Sequence, residues 1–521
     1  MKPRHIIIAA LSLIAFAACK QSGKSTAEAG KDTANVVNAD SAYNEQYRLQ
    51  AHWSPKAKWT NDPNGLILHN GTYHLFYQHY PDSTVWGPMH WGHATSKDLV
   101  TWKQQPIALY PDSLGYIFSG SIVADEKNTS GLGEGGKTPL VAIFTHHDPK
   151  GEKSGSSTYQ NQSIAYSLDE GQTWTKYANN PVLKNPGIKD FRDPKVFWYA
   201  PQNKWLMSLA TKDRITFYSS ANLKNWKKES EFGEKLGGHG GVWECPDLIS
   251  LKLNGKQYWV LLVSINPGGP NGGSATQYFV GNFDGNKFTP LDSQTRWIDY
   301  GPDDYAGVTF GGTGDRKIFL GWMGNWLYAN QVPTKNWRNA MTIPRELSLL
   351  SNKGRVFLAS TPVKELGNLA MQTEKVDGNQ LTPGADVFQV IKQSPAQFTL
   401  HFTTPQLRDY KLVLANDAGE ELVIGYDAAK TRYYIDRSKA GDNSFSKQFA
   451  GVAYAPRISS ALNSDLKLVV DASSIELFAD GGLSNLTSVF FPKAPYTHLK
   501  VEAKDMKVEN MEVSPLKSIW K

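Results

Sequence analysis

The sequence has little of several features that define other classes of protein. Its 521 residues include only two cysteines, Cys19 and Cys245, so a disulfide framework is excluded and stability has to come from hydrophobic cores. There is no HExxH segment and no repeated cysteine pair, and the spacing of the histidines at 79, 90, 93, 146 and 147 matches no zinc signature. We therefore predict neither a metal nor a cofactor.

Charge and hydrophobic runs exclude further partners. The net charge is +6, but lysine and arginine form no basic stripe, which argues against nucleic acid and favours a neutral ligand. The long apolar run, residues 6–18, is too short to span a bilayer and follows Lys2 and Arg4, as in a signal peptide. Residues 16–19, Phe-Ala-Ala-Cys, resemble a bacterial lipobox.

This N-terminus predicts a lipoprotein. We expect a signal peptide over residues 1–18, lipidation of Cys19 and a flexible tether over residues 19–45, which is rich in Ser, Lys, Ala, Gly, Asp and Asn. The protein is then an exported bacterial lipoprotein, anchored in the outer membrane and facing the periplasm or the cell surface. Plain secretion, with Cys19 incidental, is the alternative.

A corner followed by a strand recurs between residues 50 and 350. The corner occurs at residues 95–102, 167–174 and 219–226, each time ending in tryptophan, and more faintly at 282–288. Strand-like apolar runs alternate with the corners, at residues 72–79, 140–146, 204–210, 257–264 and 317–323. Five such runs, regular turns and the lack of a long amphipathic helix predict an all-β fold, a five-bladed β-propeller over residues 46–352. A large sandwich is the rival architecture.

The sequence changes character near residue 355. Segments such as residues 397–402, 410–414 and 474–478 alternate apolar and polar residues without the tryptophan corners. This pattern indicates half-buried strands and predicts a C-terminal antiparallel β-sandwich over residues 353–521. We assign it a supporting role, and a carbohydrate-binding role stays open.

Three segments within the first region each place a carboxylate beside a proline. They read WTNDPNG at residues 59–65, FRDP at 191–194 and WECPD at 243–247. A single Asp-Pro is ordinary turn chemistry, but a turn does not call for the adjacent tryptophan or arginine. A sugar site uses both, an aromatic face for stacking and a guanidinium to hold carboxylates or hydroxyls. Because glycoside hydrolysis needs two positioned carboxyl groups, we predict a carbohydrate-cleaving enzyme.

A set of motifs, taken together, resembles glycoside hydrolase family 32, the fructan hydrolases and invertases. Besides the three acid segments, the set comprises FYQ at 76–78, WGPMHWGHA at 86–94, FSGS at 118–121, GWM at 321–323 and KLVVDASSIELFADGG at 467–482. The resemblance covers nearly all of the chain from residue 46 onward. It implies the same propeller followed by a sandwich, and a retaining hydrolase that releases fructose from levan, inulin or sucrose through a covalent fructosyl-enzyme.

The resemblance also implies roles for individual residues. Asp62 matches the nucleophile, Glu244 the acid/base and Asp193 the residue that holds ring hydroxyls near the transition state. Hydrogen bonds from Asn61 and nearby backbone N–H groups are expected to keep Asp62 ionised. A retaining mechanism requires the carboxyls of Asp62 and Glu244 to lie about 5–5.5 Å apart.

Further residues match the family's first fructose subsite. They are Trp59, Asn61, Gln78, Trp86, Phe118, Ser119, Arg192, Asp304, Tyr305 and Trp322. We expect Arg192 to pair with an acid, Trp86 and Trp322 to wall the pocket, and Asp304 with Tyr305 to line it. For the aromatic residues, packing in the blade cores is the alternative, since large rings fill cores as readily as they line sites.

Other enzymes and binding proteins compete with this hypothesis. An endo-acting levanase or a fructosyltransferase uses the same scaffold, and an inverting arabinan or xylan hydrolase needs a wider carboxyl separation. A lipid-anchored fructan-binding protein keeps the aromatic residues without needing both acids. The motifs at 86–94 and 118–121 resemble exo-acting members, so we expect exo-hydrolysis, while linkage preference and oligomeric state stay open.

Overall fold

The computed structural model describes residues 43–503 and 507–520. The predicted signal peptide, the predicted lipidation site Cys19 and the predicted tether as far as residue 42 lie outside the described residues. The last part of the predicted tether is held on the protein body: the ring of Tyr43 stacks on Trp520 with centroids 3.9 Å apart, and Glu45 pairs with Arg48 at 2.7 Å. Tyr43 and Glu45, which the sequence assigns to the tether, therefore pack on the protein body.

Residues 58–362 form radial antiparallel sheets, the blades. The first contains β1 (Lys58–His69), β2 (Thr72–Tyr80), β3 (His90–Ser96) and β4 (Trp102–Leu109). The second contains β5 (Tyr116–Ala124), β6 (Leu140–His147), β7 (Gln160–Ser167) and β8 (Thr175–Lys176), with the short α1 (Pro149–Lys153) after β6. The apolar run of β6 is buried at every position, as expected for a strand packed on both faces.

Three more sheets follow in chain order. The third contains β9 (Phe191–Tyr199), β10 (Lys204–Thr211), β11 (Ile215–Ser220) and β12 (Lys227–Phe232). The fourth contains β13 (Val242–Leu253), β14 (Lys256–Asn266), β15 (Ala275–Phe283), β16 (Phe288–Pro290) and β17 (Arg296–Trp297). The fifth contains β18 (Tyr305–Thr309), β19 (Lys317–Met323), β21 (Ala340–Met341), β22 (Arg345–Asn352) and β23 (Arg355–Pro362), while β20 (Trp337–Arg338) pairs in parallel with β1.

The inner strands of these sheets close a ring. Strand β1 contacts β5, β5 contacts β9, β9 contacts β13, β13 contacts β18, and β18 contacts β1 again. Within residues 43–503 this arrangement is a five-bladed β-propeller, which confirms the predicted fold. The fifth blade extends to Pro362, because β22 and β23 pair over their whole lengths. The boundary predicted at residue 352 therefore cuts a hairpin and belongs about ten residues later.

The repeated corners share one set of local hydrogen bonds. Asp98 Oδ1 accepts from the backbone N–H groups of Val100 and Thr101, and Trp102 Nε1 donates to the Leu99 carbonyl at 2.8 Å. The same arrangement recurs around Asp169 with Trp174 and around Asn222 with Trp226. Short side chains that accept backbone N–H groups stabilise turns, which explains why the sequence repeats Asp or Asn four or five residues before tryptophan.

Residues 374–515 form two facing antiparallel sheets. Its strands are β24 (Glu374–Asp377), β25 (Ala385–Asp386), β26 (Phe398–Thr404), β27 (Tyr410–Ala415), β28 (Glu421–Asp427), β29 (Arg432–Lys439), β30 (Val452–Pro456), β31 (Ser464–Asp471), β32 (Ser474–Ala479), β33 (Ser484–Val489), β34 (His498–Glu502) and β35 (Asn510–Pro515). The orders are β24-β35-β26-β31-β32-β33 and β25-β34-β27-β28-β29-β30. A shared apolar core lies between them, so the predicted C-terminal β-sandwich is confirmed.

Helical segments are few and short in the described ranges. They are α1, α2 (Val387–Ile391) and 3₁₀ turns at Ala200–Gln202, Lys364–Leu369 and Gly378–Gln380. None of the helices in the part of the chain that the structure describes has the length and apolar character needed to cross a membrane.

A buried charged cluster joins the sandwich to the propeller. Arg345 on β22 is fully buried and donates to Glu476 of β32 at 3.0 Å, to Asp299 at 2.9 Å and to Asp304 at 3.0 Å. Glu476 also contacts His52 near the start of the propeller at 3.0 Å. Breaking such a cluster leaves uncompensated buried charge, so it holds the two domains in one arrangement.

Candidate active site

A β-bulge interrupts each inner strand at the same end of the propeller. The pairing shifts register within each of the five inner strands. The shifts lie between Thr60 and Pro63 on β1, Ile117 and Gly120 on β5, Arg192 and Lys195 on β9, Glu244 and Asp247 on β13, and Tyr305 and Val308 on β18. A bulge changes the direction of a side chain and leaves one backbone N–H without a partner strand. Proline has no N–H, so it is tolerated at such a position. The acid-proline segments therefore form three of these bulges.

Asp62 on β1 is half-buried and accepts two side-chain hydrogen bonds. Asn61 Nδ2 donates to Oδ1 at 2.9 Å, as expected, and Ser119 Oγ from the bulge of β5 donates to Oδ2 at 2.6 Å. Burial, together with the charge of Glu244, nevertheless raises the pKa of Asp62, against the lowering effect of those two donors. The two carboxyl groups thus interact electrostatically, although they lie 182 positions apart in the sequence by subtraction of their numbers.

Asp193 lies beside Asp62 and is more deeply buried. Its side chain is 6% exposed, its backbone adopts φ +63°, and its Oδ2 accepts from the Cys245 backbone N–H at 3.1 Å. The Cys245 thiol lies between the two acids, with Sγ at 3.6 Å from Asp62 Oδ2 and 3.7 Å from Asp193 Oδ2. Burial raises the pKa of Asp193 to about 7, with Glu244 and Asp62 acting in the same direction against the guanidinium of Arg192.

Glu244 on β13 is held by an arginine and a tyrosine. Arg192 donates to Glu244 Oε1 from Nη2 at 2.9 Å and from Nε at 3.1 Å, and the Tyr305 hydroxyl donates to Oε2. Arg192 also donates to Asp190 Oδ1 at 2.7 Å. It therefore pairs with an acid, as expected, and has two such partners, Glu244 and Asp190. Burial and the charge of Glu244 raise the pKa of Tyr305, so its hydroxyl keeps its proton and donates a hydrogen bond to Glu244 at neutral pH.

Aromatic residues form the surroundings of the carboxylates. Trp59 and Trp322 are fully buried and pack against Trp326, with ring centroids 5.9 Å and 4.9 Å from it. Trp326 is half-buried and was missed by the sequence analysis, because no carboxylate accompanies it. Trp86 is 39% exposed and its ring lies 6.1 Å from Phe118, the neighbour of Ser119. Trp322 thus lies in the core beneath the site, and Trp86 at its exposed edge.

Two predicted subsite residues have buried partners. Gln78 is buried, and its amide donates to Asn64 Oδ1 at 2.7 Å and to the Ile117 carbonyl at 3.0 Å, so that nitrogen braces β1 against β5. The prediction that Asp304 lines the pocket is wrong for its carboxylate, which pairs with Arg345 at 3.0 Å. Adjacent residues of an extended segment point to opposite sides, so only Tyr305 faces Glu244.

The histidines noted in the sequence have other partners. His74 and His93 lie 3.1 Å apart through their ring nitrogens, His79 contacts the Trp59 carbonyl at 2.7 Å, and His146 contacts Ser163 at 2.8 Å. Over residues 43–503 and 507–520, no group of three His, Cys, Asp or Glu side chains is arranged to hold a metal ion.

A cavity of about 1310 Å³ lies at the far end of the propeller axis. It is lined by the later parts of the same inner strands, such as Leu66–Asn70 of the first blade. Lys195 pairs there with Asp247 at 3.2 Å. Asp62, Asp193 and Glu244 do not line this cavity. The cavity and the acid cluster therefore lie at opposite ends of the propeller axis.

The fold and the site together define a class of enzyme. Three bulged inner strands of a propeller bring three carboxylates, one guanidinium and a set of indole rings into one small region. Two positioned acids are the requirement for glycoside cleavage, and the aromatic surroundings suit a sugar. The arrangement is that of a glycosidase.

Comparison with known proteins gives the family. The N-terminal domain of glycosyl hydrolases family 32 matches residues 52–362, and the C-terminal domain of that family matches residues 365–515. The chain therefore belongs to glycosyl hydrolases family 32. It is 44% identical to a levanase of Bacillus subtilis, over 92% of this chain and 72% of that protein, and 40% identical to an extracellular exo-inulinase of Aspergillus niger, over 92% and 96%.

Solved structures have the same fold. An exo-inulinase from Aspergillus awamori superposes with a TM-score of 0.83 at 37% identity, covering 92% of this chain and all of that one. A β-fructofuranosidase from Schwanniomyces occidentalis, solved with fructosyl-erythritol, gives 0.82 at 33% identity with 92% and 100% coverage. A match over 92% of this chain includes parts of both the propeller and the sandwich, so the two-domain architecture is shared.

Proposed function

We propose that the protein releases fructose from β-fructofuranosides such as levan, inulin and sucrose, with retention and from the chain end. The observation that carries the proposal is the convergence of Asp62, Asp193 and Glu244 from three inner strands, where the Cys245 thiol contacts Asp62 and Asp193 and Arg192 binds Glu244. The levanase and exo-inulinases to which the chain is similar support fructose as the transferred sugar. The exposed Trp86 beside Phe118 offers an aromatic face to a terminal fructose at the edge of the site.

The geometry suggests a division of labour among the acids. Asp62 attacks the anomeric carbon, and the hydrogen bonds from Asn61 and Ser119 favour its charged form against the effect of burial. Glu244 gives a proton to the leaving oxygen, which leaves with the bonding electron pair, and then takes a proton from the water that cleaves the fructosyl ester. Asp193 accepts hydrogen bonds from sugar hydroxyls when it is ionised.

The test is a time course of products from levan, inulin and sucrose with the purified protein. Fructose alone from the earliest time supports exo-hydrolysis, whereas early oligosaccharides mean endo-action and longer oligosaccharides from concentrated sucrose mean transfer. Methanol added as an acceptor gives methyl β-fructofuranoside under retention, and the α-anomer would refute the covalent intermediate.

A matched pair of variants tests the assignment of the nucleophile. Asp62→Asn is expected to lower kcat at least 10³-fold while the protein still binds substrate, because the amide cannot form the fructosyl ester. Asp315→Asn, on an exposed turn, is the control and keeps full activity. A binding protein would show no turnover in the parent and little loss of affinity in Asp62→Asn.

We also propose that Cys19 carries a lipid that anchors the protein in the outer membrane. The support is the sequence at residues 1–19, with its basic start, short apolar run and lipobox-like end. Feeding a labelled fatty acid to producing cells tests it. The parent is expected to take up label and sediment with membranes, and Cys19→Ala to do neither; equal fractions for both would refute the anchor.

A further inference from the structure

The outer face of the second sandwich sheet carries an open groove of about 540 Å³. The groove runs across β27, β28, β29 and β30, away from the core between the sheets. The side chains that face it alternate with core residues along each strand, as the pleat requires. They are mainly aromatic or charged: Asp409, Lys411, Asp427, Lys430, Arg432, Tyr434, Asp436, Tyr454 and Glu502.

Tyr434 forms a flat platform in this groove. It pairs across the sheet with Gly425, and a Cβ atom at Gly425 would lie 2.5 Å from the Tyr434 hydroxyl and ring. The ring therefore lies along the sheet in space that only glycine leaves, and Tyr434 remains half-exposed. Tyr454 lies beside it, with centroids 6.3 Å apart, and the Arg432 guanidinium covers the Tyr454 ring at 3.6 Å.

The charges of the groove nearly cancel. Lys411 pairs with Glu502 at 3.6 Å, and Asp427 lies 3.5 Å from Arg432 and 3.9 Å from Lys430. Exposed pairs of this kind are weakly held, so their oxygens and N–H groups are available to hydroxyl groups. A flat aromatic ring edged by balanced donors and acceptors suits a neutral polyhydroxyl ligand, not a nucleic acid or an anionic surface.

One edge of the groove is bonded to a loop that starts at the carboxylate end of the propeller. Strand β14 pairs with β13 so that Asn266 is opposite Val242, next but one to Glu244. The loop that follows β14 reaches the sandwich, where Asn271 donates to the Tyr454 carbonyl at 3.0 Å and accepts from its N–H at 3.1 Å. Strand β30, at the edge of the groove, is thus tied to a loop that begins beside the catalytic strand.

We propose that this groove binds a stretch of the fructan chain remote from the end being cleaved. The proposal rests on the proposed function for the identity of the sugar. When the groove holds one part of the polymer, the chain end stays near the carboxylates and binds there as an intramolecular step. The apparent affinity for the polymer rises without any new contact at the catalytic site. Sucrose is too short to use it, so the groove acts on polymer only.

Affinity electrophoresis tests the groove separately from catalysis. Variants are made in the Asp62→Asn background and run in gels containing levan, inulin or, as a control, dextran. Tyr434→Ala and Tyr454→Ala are expected to weaken retardation by the fructan about tenfold, whereas Tyr434→Phe, which keeps the ring, retains most of it. Tyr177→Ala is the matched control, since Tyr177 is a half-buried propeller tyrosine with a lysine 5.0 Å from its ring.

Kinetics in the active enzyme give the second readout. Tyr434→Ala is expected to raise KM for levan or inulin about tenfold and to leave sucrose kinetics within twofold of the parent. Unchanged retardation, equal retardation in dextran, or an equal loss in Tyr177→Ala overturns the groove. If the fructan retards the parent through Tyr434 yet no fructose is released from any substrate, the groove stands and the proposed hydrolase function fails.

Discussion

Replacing Asp193 by asparagine is expected to make the protein more stable at neutral pH while removing its role at the site. The acids Asp62, Asp193 and Glu244 lie close together, Arg192 donates to Glu244, and Asp193 is 6% exposed. An amide of the same shape keeps the oxygen that accepts from the Cys245 N–H at 3.1 Å. It removes the charge that burial and the neighbouring acids disfavour.

The magnitude follows from the pKa. Asp193 has a pKa of about 7 in the folded protein, against 3.8 as its ordinary value. Below the ordinary value both states hold the proton and Asp193 costs nothing. As the pH rises from there to about 7, only the unfolded chain releases the proton, so stability is lost at ~1.4 kcal/mol per pH unit. The cost reaches about 2 kcal/mol at pH 5 and about 4 kcal/mol at pH 8.

The assay is thermal unfolding of parent and variant at both pH values. With an unfolding entropy of ~2.1 cal/mol/K per residue over roughly 300 propeller residues, 4 kcal/mol raises Tm by about 6 °C. Asp190→Asn is the control: it breaks the 2.7 Å ion pair with Arg192 and is expected to cost about 2 kcal/mol. A Tm for Asp193→Asn that is below the parent at pH 8, or a difference independent of pH, would refute the reasoning.

Three further predictions concern the junction of the domains. Arg345→Met leaves buried acids without their cation and is expected to cost about 3–5 kcal/mol in urea unfolding, whereas Arg316→Gln, 30% exposed, costs less than about 1. Burial lowers the pKa of His52, but its two acid partners raise it to about 9. His52→Gln is therefore expected to lower the free energy of unfolding by about 3 kcal/mol below pH 6 and to have no effect above pH 10. A loss of stability that does not change with pH would contradict this. Gly301→Ala puts a Cβ atom 2.1 Å from sandwich backbone and is expected to cost about 3 kcal/mol, with Gly367→Ala, in open space, as the neutral comparison.

Local patterns in the sequence were sufficient for the architecture and for the acids. The corners at Asp98, Asp169 and Asn222 encode a turn by side-chain hydrogen bonds that involve only neighbouring residues, so their repetition predicts the blades. The acid-proline segments encode bulges, which are also local events on one strand. Acids at the bulges of several inner strands are therefore candidates for one site, and the sequence predicts them as such.

Contacts between distant residues were decided only by the folded chain. Asp304 and Tyr305 are neighbours, yet the first pairs with Arg345 of the fifth blade and the second with Glu244 of the fourth, because the two side chains point to opposite sides of the chain. The pKa of Asp193 depends on Glu244 and Asp62, which come from other blades, so it could not be predicted from the residues next to Asp193 in the sequence.

The sequence by itself thus determined which elements form, which acids stand at the bulges and in what order they come. The tertiary structure decided which of them meet. It also placed Tyr434 over Gly425 on the neighbouring strand. Such packing depends on which two residues are paired across the sheet, and neither residue alone specifies its partner.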